Sequence, residues 1–482
     1  MEDSMGVFDV AIIGAGITGC SISRELSRYD LSIAVIEAGN DIATGATKGN
    51  GGLIHAGYDP TPGTMKARLN AHGNSLYPQL SKDLGFKFKR TGSLVLGFDD
   101  QDLAHLMKLK EYGALNGTGV LEILRGDDIR RVEPLSSPKA TCALWAKDTG
   151  IVDPFEVAIA TAENAKANGA EFFFNEPVTG ISSRSGLFEI DTPGRTISAR
   201  YIVNAAGGNG AEICDMAGGE HIEMSWRQGN ILVFAKDSGV SGIMPIYPVP
   251  SATSKGVVVL ETIHANVIVG STAVYRKKDD TSCYAEDIEQ LLSGARKLAP
   301  SLKTSHLIRE FAGTRAVITN TNDFLVERSK KIDHLINAIG IQSPGVASAP
   351  AIAEYVCKLL KDAGLRLALR RDFNPIREAP IDFDTLSAVE QDQLVSENPA
   401  WGRIVCRCEM VPEQEVINAI NAPLGARSVE GVKRRCRAGM GPCQSGFCQS
   451  KVITLLSQEL GTPITEIPLE QNHSTIIQGA VK

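Results

Sequence analysis

The sequence predicts an α/β protein in which a parallel-sheet domain and a domain with a mixed or antiparallel sheet precede a small helical domain. Three observations predict this class. A strand, a glycine-rich turn, a helix and a second strand follow one another over residues 8–37. Runs such as Ser93–Gly97 and Val257–Thr262 are typical of antiparallel strands. Five cysteines crowd among short helical segments near the C-terminus, and 482 residues suffice for two or three cores.

Composition narrows the class of function. The formal net charge is -7, so the surface as a whole does not attract nucleic acid or anionic lipid. No apolar run reaches the ~18–20 residues that a membrane helix needs. The polar stretch Met1–Gly6 predicts no secretory signal, so we expect a cytoplasmic protein. In such a chain a cysteine cluster more often binds metal than forms disulfides.

The N-terminal strand and turn form a dinucleotide-binding motif. Phe8–Ile13 is a β-branched apolar run typical of a buried parallel strand. In the G-x-G-x-x-G turn that follows, Gly14 permits the turn, Gly16 lets the backbone approach a pyrophosphate, and Gly19 lets the helix pack on the sheet. Glu37 ends the next apolar strand, where a carboxylate accepts a hydrogen bond from a ribose hydroxyl. A glycine-rich turn of another α/β protein is the competing interpretation, which the second strand and the acid disfavour.

Two later loops favour FAD over NAD. Thr44–Gly57 reads TGATKGNGGLIHAG, which is too glycine-rich for an ordinary β–α connection and suits a backbone that lies against a large flat ligand. Asn337–Pro350 reads NAIGIQSPGVASAP, which predicts a strand end, a tight turn and a helix running through Ala351–Leu360. The helix N-terminus at Gly345–Val346 would stabilise negative charge on a reduced flavin.

Together with Gly150–Pro154 (GIVDP), Ile202–Gly207 (IVNAAG) and Phe311–Ala316 (FAGTRA), these segments resemble the FAD-dependent oxidoreductases of the D-amino-acid oxidase superfamily. Within that group the sequence is most similar to glycerol-3-phosphate dehydrogenases and oxidases and to L-2-hydroxyglutarate oxidases. The resemblance implies a discontinuous, Rossmann-like FAD-binding domain and a substrate domain with a mixed or antiparallel sheet. The implied boundaries are 1–85, 150–215 and 325–375 for the FAD-binding domain, 86–149 and 216–324 for the substrate domain, 376–402 for a linker, 403–465 for the cysteine domain and 466–482 for a tail.

The resemblance and the motifs also imply which residues hold FAD. They are Gly14, Gly16, Ile17, Thr18, Gly19, Glu37, Thr44, Gly45, Thr47, Lys48, Gly51, Gly52, Leu53, Val178, Ala206, Gly207, Gly313, Gln342, Ser343, Pro344 and Gly345.

Two histidines are candidates for the group that takes a proton from the substrate. His55 lies in the glycine-rich loop. His264 follows a strand in a segment that resembles the family's flavin-facing stretch, from which this sequence departs at Glu261 and Ala265. Either ring could instead be a hydrogen-bonded structural histidine.

Arg315 is the leading candidate for binding the substrate anion. It lies in FAGTRA, where the resembled family carries an arginine that holds a phosphate or carboxylate, and a guanidinium binds such groups with two hydrogen bonds. A surface ion pair with Glu310 or Glu327 is the alternative. Lys48 is either a second anion contact or a solvated lysine. Ser254-Lys255-Gly256 is a weaker candidate.

The C-terminal cysteines predict a second cofactor site. Cys406-x-Cys408 and Cys443-x4-Cys448 place four thiolates on loops between short predicted helices, which suits zinc or an iron–sulfur cluster. The run GVKRRCRAGMGPCQSGFC resembles the bacterioferritin-associated-ferredoxin-like domain and so favours a [2Fe–2S] cluster over zinc. Those four cysteines would be the ligands, and Cys436 would be a spare thiol.

Four basic residues lie beside these cysteines: Lys433, Arg434, Arg435 and Arg437. They would offset the charge of an anionic cluster, dock an electron-transfer partner, or form a solvated basic face.

Two sites in one chain predict a dehydrogenase, since flavin takes two electrons and a [2Fe–2S] centre passes one at a time. The resemblance implies oxidation of sn-glycerol 3-phosphate to dihydroxyacetone phosphate. Electrons would leave to a flavoprotein or quinone-linked subunit, and any membrane contact would be made only through that partner. Three alternatives stay open. These are another small anionic substrate (L-2-hydroxyglutarate, another 2-hydroxy acid or a secondary amine), an oxidase with a structural cluster, and a non-enzymatic redox docking or iron-sensing module.

Overall fold

The structure, a computed structural model, describes residues 6–250 and 256–479. Ser254 and Lys255, two of the weaker candidates for anion binding, lie outside these ranges. Within them, no helix combines the length and the apolar character needed to cross a bilayer.

The α-helices of the described ranges are α1 (Ile17–Leu26), α2 (Met65–Leu84), α3 (Asp100–Leu115), α4 (Asp127–Val132), α5 (Pro154–Ala167), α6 (Gly210–Met216), α7 (Ala285–Leu298), α8 (Gly345–Asp362), α9 (Ala388–Glu397), α10 (Glu413–Asn421), α11 (Val429–Cys436) and α12 (Gln449–Leu460). The strands are β1 (Phe8–Ile13), β2 (Ile33–Ile36), β3 (Leu53–Ile54), β4 (Phe88–Arg90), β5 (Ser93–Gly97), β6 (Leu121–Arg125), β7 (Cys142–Ala146), β8 (Gly150–Val152), β9 (Glu171–Phe173), β10 (Gly180–Arg184), β11 (Leu187–Asp191), β12 (Thr196–Asn204), β13 (Met224–Phe234), β14 (Ile246–Pro248), β15 (Val258–Glu261), β16 (Val267–Gly270), β17 (Val274–Arg276), β18 (Leu307–Ile318), β19 (Leu325–Arg328), β20 (Leu335–Ile339), β21 (Ile404–Cys406) and β22 (Val411–Pro412).

The first sheet has eight strands in the order β10-β11-β12-β1-β2-β9, with β20 and then β19 beside the end of β12. β1 pairs in parallel with both β2 and β12, and the run that forms it is almost wholly buried, as parallel strands covered by helices are. Helix α1 packs against α5 and α8. Every strand of this sheet falls within the segments predicted for the FAD-binding domain. The parallel pairing brings the ends of β1 and β2 to one edge of the sheet.

The second sheet has nine strands and is mixed, because β14 pairs in parallel with β5 while the other pairs are antiparallel. Its strands all fall within 86–149 and 216–324. The long β13–β18 pair places Arg227 opposite Arg315. A small sheet of β3, β8 and β4 joins the two larger domains, so β4 leaves the predicted substrate segment to pair with β8.

The C-terminal domain packs α10, α11 and α12 around its own apolar core, beside the short hairpin β21–β22. The preceding stretch, 376–402, which the sequence predicts to be a linker, is folded. Ser387 and Glu390 form a capping box at the start of α9, and Phe383 stacks on the buried Trp401 with ring centroids 5.8 Å apart. Paired rings and a capped helix give the charged, proline-rich stretch a fixed shape that its composition did not predict.

A buried ion cluster attaches the C-terminal domain to the first domain. Arg434 and Arg435 on α11 hold the carboxylate of Asp41 at 2.9 Å and 2.6 Å, and all three side chains are at most 5% exposed. Burial raises the pKa of Asp41, but the charges and hydrogen bonds of Arg435 and then Arg434 outweigh it, so the net pKa is lowered. Both side chains are buried against Asp41, so the interpretation of these two arginines as a solvated face is wrong. The sequence does not reveal this contact, because Asp41 lies almost 400 positions earlier in the chain.

Asp41→Asn should loosen this attachment, because it removes the carboxylate that pairs with the buried Arg435 and leaves Arg434 with Glu470 alone. Breaking a buried ion pair from one side costs about 3–5 kcal/mol, so we expect the thermal unfolding midpoint to fall by several degrees at pH 7. The pKa of Asp41 is depressed, so its contribution is complete above the unfolded-state pKa of about 3.9 and is lost as the pH falls below that value. The difference between the variant and the parent should therefore persist at pH 5 and shrink only below about pH 4.

Asp30→Asn is the matched control for this measurement. Asp30 is an exposed acid of the same domain, and its substitution should leave the midpoint unchanged. Equal midpoints for the parent and the Asp41 variant would show that the ion cluster does not hold the domains together.

Candidate functional site

A cavity of about 1160 Å³ lies where the two large sheets meet. Its wall is formed by the start of α1, the loop Thr44–Gly51, the β13–β18 pair and the start of α8. Ligands of α/β proteins bind outside the carboxyl ends of the parallel strands, and this cavity occupies that place. It is where the sequence predicts the dinucleotide.

The glycine-rich turn is built as its spacing predicts. Gly14 has a φ of +107°, and a Cβ there would lie 2.6 Å from the carbonyl oxygen of Ala205. A Cβ on Gly19 would lie 1.9 Å from the carbonyl oxygen of Gly14, so Gly19 serves the packing of helix on strand. Gly16 faces more open space, where a Cβ would meet the hydroxyl of Thr47 at 3.3 Å. Gly16 thus leaves room for a pyrophosphate to approach the backbone of the turn.

Glu37 lies at the next strand end and lines the same cavity. Its carboxylate accepts hydrogen bonds from the backbone amides of Ala15 and Gly39, both at 2.7 Å. Burial raises the pKa of Glu37, and these two amides oppose that rise. A carboxylate has room for further donors, so a ribose hydroxyl can complete its hydrogen bonding.

Most of the residues predicted to hold FAD line this cavity: Gly14, Gly16, Ile17, Thr18, Glu37, Thr44, Gly45, Thr47, Lys48, Gly51, Leu53, Val178, Ala206, Gly207, Gly313, Gln342, Ser343, Pro344 and Gly345. Gly19 and Gly52 do not. Gly52 lies against β8, where a Cβ would be 2.2 Å from the carbonyl oxygen of Val152. Lys48 lines the wall, but its ammonium group also forms an ion pair with Glu470.

Arg315 lies half-buried in the cavity wall beside a second arginine that the sequence alone did not indicate. It donates to the hydroxyl of Ser271 and, at 3.2 Å, to the carbonyl oxygen of Thr272. Arg227 lines the cavity too and donates to Gln342 Oε1 at 2.5 Å, while its Nε has no hydrogen-bond partner. Among the described residues neither arginine forms an ion pair with a carboxylate, so the predicted alternative with Glu310 or Glu327 is absent there.

Two adjacent guanidinium groups without a counter-charge indicate an anion site. Burial, and then the charge of Arg227, lower the pKa of Arg315 to about 10, which still leaves it cationic at neutral pH. An anion in the cavity would relieve that repulsion and take up the free donors. The sequence around Arg227, MSWRQGN, shows no pattern that marks this arginine, and its meaning depends on the strand register that places it opposite Arg315.

The two candidate histidines lie in different places. His55 lines the cavity, with its Nε2 3.4 Å from the hydroxyl of Ser343 at the start of α8. His264 is not part of the cavity wall. Its ring instead contacts the carboxylate of Asp153 at 3.1 Å, and burial lowers its pKa against the raising effect of that hydrogen bond. The structure therefore brings His55, and not His264, together with Arg315.

The four predicted cysteine ligands lie in two contacting pairs. The thiol of Cys406 interacts with that of Cys448, which lowers the pKa of Cys406 and raises that of Cys448, and the thiol of Cys408 interacts with that of Cys443. Within residues 6–250 and 256–479, no three Cys, His, Asp or Glu side chains lie close enough together to hold a single metal ion. Two thiol pairs fit a [2Fe–2S] cluster held by four cysteines. Cys436 stays outside both pairs, and burial raises the pKa of its thiol to about 12.

Comparison with known proteins agrees with this geometry. The family model described as FAD dependent oxidoreductase matches residues 9–359, and that of the BFD-like [2Fe-2S] binding domain matches residues 404–458. A glycerol 3-phosphate dehydrogenase from Caloramator mitchellensis is 41% identical over 477 residues, which are 99% of each chain. One of the subunits of the anaerobic glycerol-3-phosphate dehydrogenase from Escherichia coli K12 is 27% identical over 93% of this chain and 88% of its own.

Among solved structures, the dithionite-reduced L-alpha-glycerophosphate oxidase from Mycoplasma pneumoniae with FAD bound superimposes with a TM-score of 0.74. It is 27% identical and covers 78% of this chain and 100% of its own. The resemblance seen in the sequence motifs is confirmed, and with it the two cofactors. The chain belongs to the FAD dependent oxidoreductase family and carries a BFD-like [2Fe–2S] binding domain at its C-terminal end.

Proposed function

We propose that this protein is a dehydrogenase that oxidises sn-glycerol 3-phosphate at C2 to dihydroxyacetone phosphate and passes the electrons through its [2Fe–2S] cluster to a partner protein. The observation that carries the proposal is the likeness, over nearly the whole chain, to the Caloramator glycerol 3-phosphate dehydrogenase. The cavity supports it, because it combines an anion site with a histidine.

Arg227 and Arg315 are the residues that we expect to bind the phosphate. A phosphate offers several acceptor oxygens to the free guanidinium donors, and two cations match its double negative charge. Holding the phosphate at one end of the cavity fixes the position of C2 relative to the rest of the wall. The free energy of phosphate binding is thereby used to hold C2 in the orientation that reaction requires.

His55 is placed to accept the proton of the C2 hydroxyl. It lies on the same loop as the cofactor-lining residues Gly51 and Leu53, and its ring is held by Ser343. When bound, FAD supplies the acceptor for the hydride that leaves C2, and the cluster takes electrons singly. The loss of one hydride and one proton converts the alcohol to the ketone.

The surface around the cysteines is where we expect electrons to leave. Phe447, between Cys443 and Cys448, is 82% exposed and presents an apolar ring on the surface beside two of the predicted cluster ligands. We propose that the partner is an electron-accepting flavoprotein or quinone-linked subunit, through which the chain would reach a membrane. The Escherichia coli relative is named as one subunit of a larger enzyme, which supports a partner of this kind.

Anaerobic mixing with glycerol 3-phosphate should bleach the flavin absorbance within the turnover time. Glycerol at the same concentration should bleach it far more slowly, because it lacks the phosphate that the arginines bind. The measurement is stopped-flow absorbance of the flavin band under anaerobic conditions.

L-2-hydroxyglutarate is the most informative alternative substrate to test in the same measurement, since the arginine pair would also bind a carboxylate. Bleaching by L-2-hydroxyglutarate but not by glycerol 3-phosphate would reassign the substrate. Stoichiometric peroxide in air would make the protein an oxidase, and no bleaching by any substrate would point to the non-enzymatic module.

Arg315→Met should lower kcat/KM for glycerol 3-phosphate by about 10- to 100-fold, because hydrogen bonds to a charged group are worth roughly 1.5–3 kcal/mol. The loss should appear in both KM and kcat, since the arginine binds the phosphate and thereby also fixes the position of C2. Steady-state kinetics with a one-electron dye would measure it.

Arg200→Met is the control for Arg315→Met. Arg200 is an arginine on the surface of the first domain, 3.3 Å from Asp9, and is 57% exposed. Unchanged kinetics in both variants would exclude Arg315 from substrate binding.

Cys408→Ser should prevent cluster assembly while leaving flavin bleaching by the substrate intact. Reduction of cytochrome c, which is too large to enter the cavity, should then slow at least tenfold relative to flavin bleaching. Cys436→Ser is the control, because that thiol lies outside both cysteine pairs and donates to the carbonyl oxygen of Val432. If cytochrome c is reduced at the parent rate without the cluster, the proposed exit route is wrong.

A further inference from the structure

Residues 466–479, the described part of the segment predicted to be a tail, fold back onto the first domain. Its residues Pro468 and Thr475 pair as an isolated bridge, and Leu469 donates its amide to the carbonyl oxygen of Ser474 at 2.7 Å. Residues 468–475 therefore form a closed loop, which we call the C-terminal loop. The hydroxyl of Ser474 donates to the carbonyl oxygen of Gln471 at 2.7 Å and fixes the tip.

The C-terminal loop is held by the cysteine domain. Val429 and Glu430, at the start of α11, donate their amides to the carbonyl oxygens of Pro468 and Leu469 at 3.1 Å and 2.8 Å. Just before the loop, Ile467 is only 1% exposed in the core of that domain. The position of the loop thus follows the position of the domain that carries the cluster.

On its other side the C-terminal loop contacts the segment that follows Glu37. The side-chain amide of Asn40 donates to the carbonyl oxygen of Glu470 at 2.5 Å. The carboxylate of Glu470 pairs with Arg434 at 3.1 Å and with Lys48, which lines the cavity. Asn472 reaches Asn175 at 2.9 Å, so the tip is attached to the first domain at several points.

Gln471 completes the wall of the cavity at this end. A methyl group built on Gly39 would lie 3.5 Å from Gln471 Nε2, 3.2 Å from Glu37 Oε1 and 2.8 Å from Thr44 Oγ1, so three polar side chains converge there. The side-chain amide of Gln471 has no hydrogen-bond partner among the described residues. It is an amide with free donors and a free acceptor beside the carboxylate that recognises ribose.

We propose that the C-terminal loop is a clamp on the adenosine half of FAD and that Gln471 is a FAD-contacting residue. The acidic residue at the end of the second strand of this fold binds the ribose of the adenosine, so groups beside Glu37 face that half of the cofactor. The cysteine domain carries Gln471 to the cavity, and Asp41, Asn40 and Lys48 hold the clamp closed. FAD retention is thereby coupled to the docking of the cluster domain.

The test is FAD affinity and not turnover. Flavin-free protein is titrated with FAD, and the dissociation constant is measured by quenching of flavin fluorescence. Gln471→Ala should weaken FAD binding by about 3- to 10-fold, the loss expected for one or two hydrogen bonds. Gln471→Glu should weaken it at least as much, because a second carboxylate would stand beside Glu37.

Glu466→Ala is the matched control, since Glu466 is exposed on the same segment before the loop begins. Its FAD dissociation constant should equal that of the parent, and the melting midpoints of the flavin-free Gln471 variants should be unchanged. A dissociation constant for FAD within twofold of the parent in both Gln471 variants overturns the proposal. Weaker binding accompanied by a lower midpoint of the flavin-free protein overturns it too, because the effect would then be general loosening.

Discussion

Asp41 accepts hydrogen bonds from Arg434 and Arg435 at a place that water hardly reaches, and the arrangement of the two cofactor sites depends on this contact. A buried carboxylate without those arginines would be costly, and so would either arginine without the carboxylate. The three groups therefore fix one docked position for the cysteine domain. Because Asp41 follows Glu37 on the same loop, the contact that docks one cofactor domain also shapes the site of the other.

The parts of the fold that are encoded locally could be predicted from the sequence. The turn at Gly14, Gly16 and Gly19 and the acid at Glu37 follow from steric and hydrogen-bonding needs that lie within one strand-turn-helix-strand unit. Strands Phe8–Ile13 and Ser93–Gly97 have the predicted bounds. Gly19 also has the packing role that its position in the motif predicts, although it does not touch the cavity.

The parts that depend on distant pairing could not be predicted. Arg227 gains its meaning only from the register that puts it opposite Arg315, and no local pattern reveals a strand register. Arg434 and Arg435 of α11 had three possible roles because their partner, Asp41, belongs to another domain. His264 resembled a flavin-facing residue by its place after a strand, yet its loop faces the cysteine domain, where the neighbouring Asn266 accepts a hydrogen bond from Arg437 at 3.1 Å.

That loop and strand β18 show how closely the two sites are connected. Arg309 on β18 donates to Gln444, the neighbour of Cys443, at 3.0 Å, while Gly313 further along the same strand lines the cavity. An extended strand rises about 3.3 Å per residue, so roughly 13 Å of β18 separates the contact with the cysteine loop from the cavity wall. The docking through Asp41 holds the cysteine domain, whose loop carries Gln444, against this strand. Under the proposed function, transfer between the two cofactors would take place within one folded chain, and only the step to a partner, beside the exposed Phe447, would leave it.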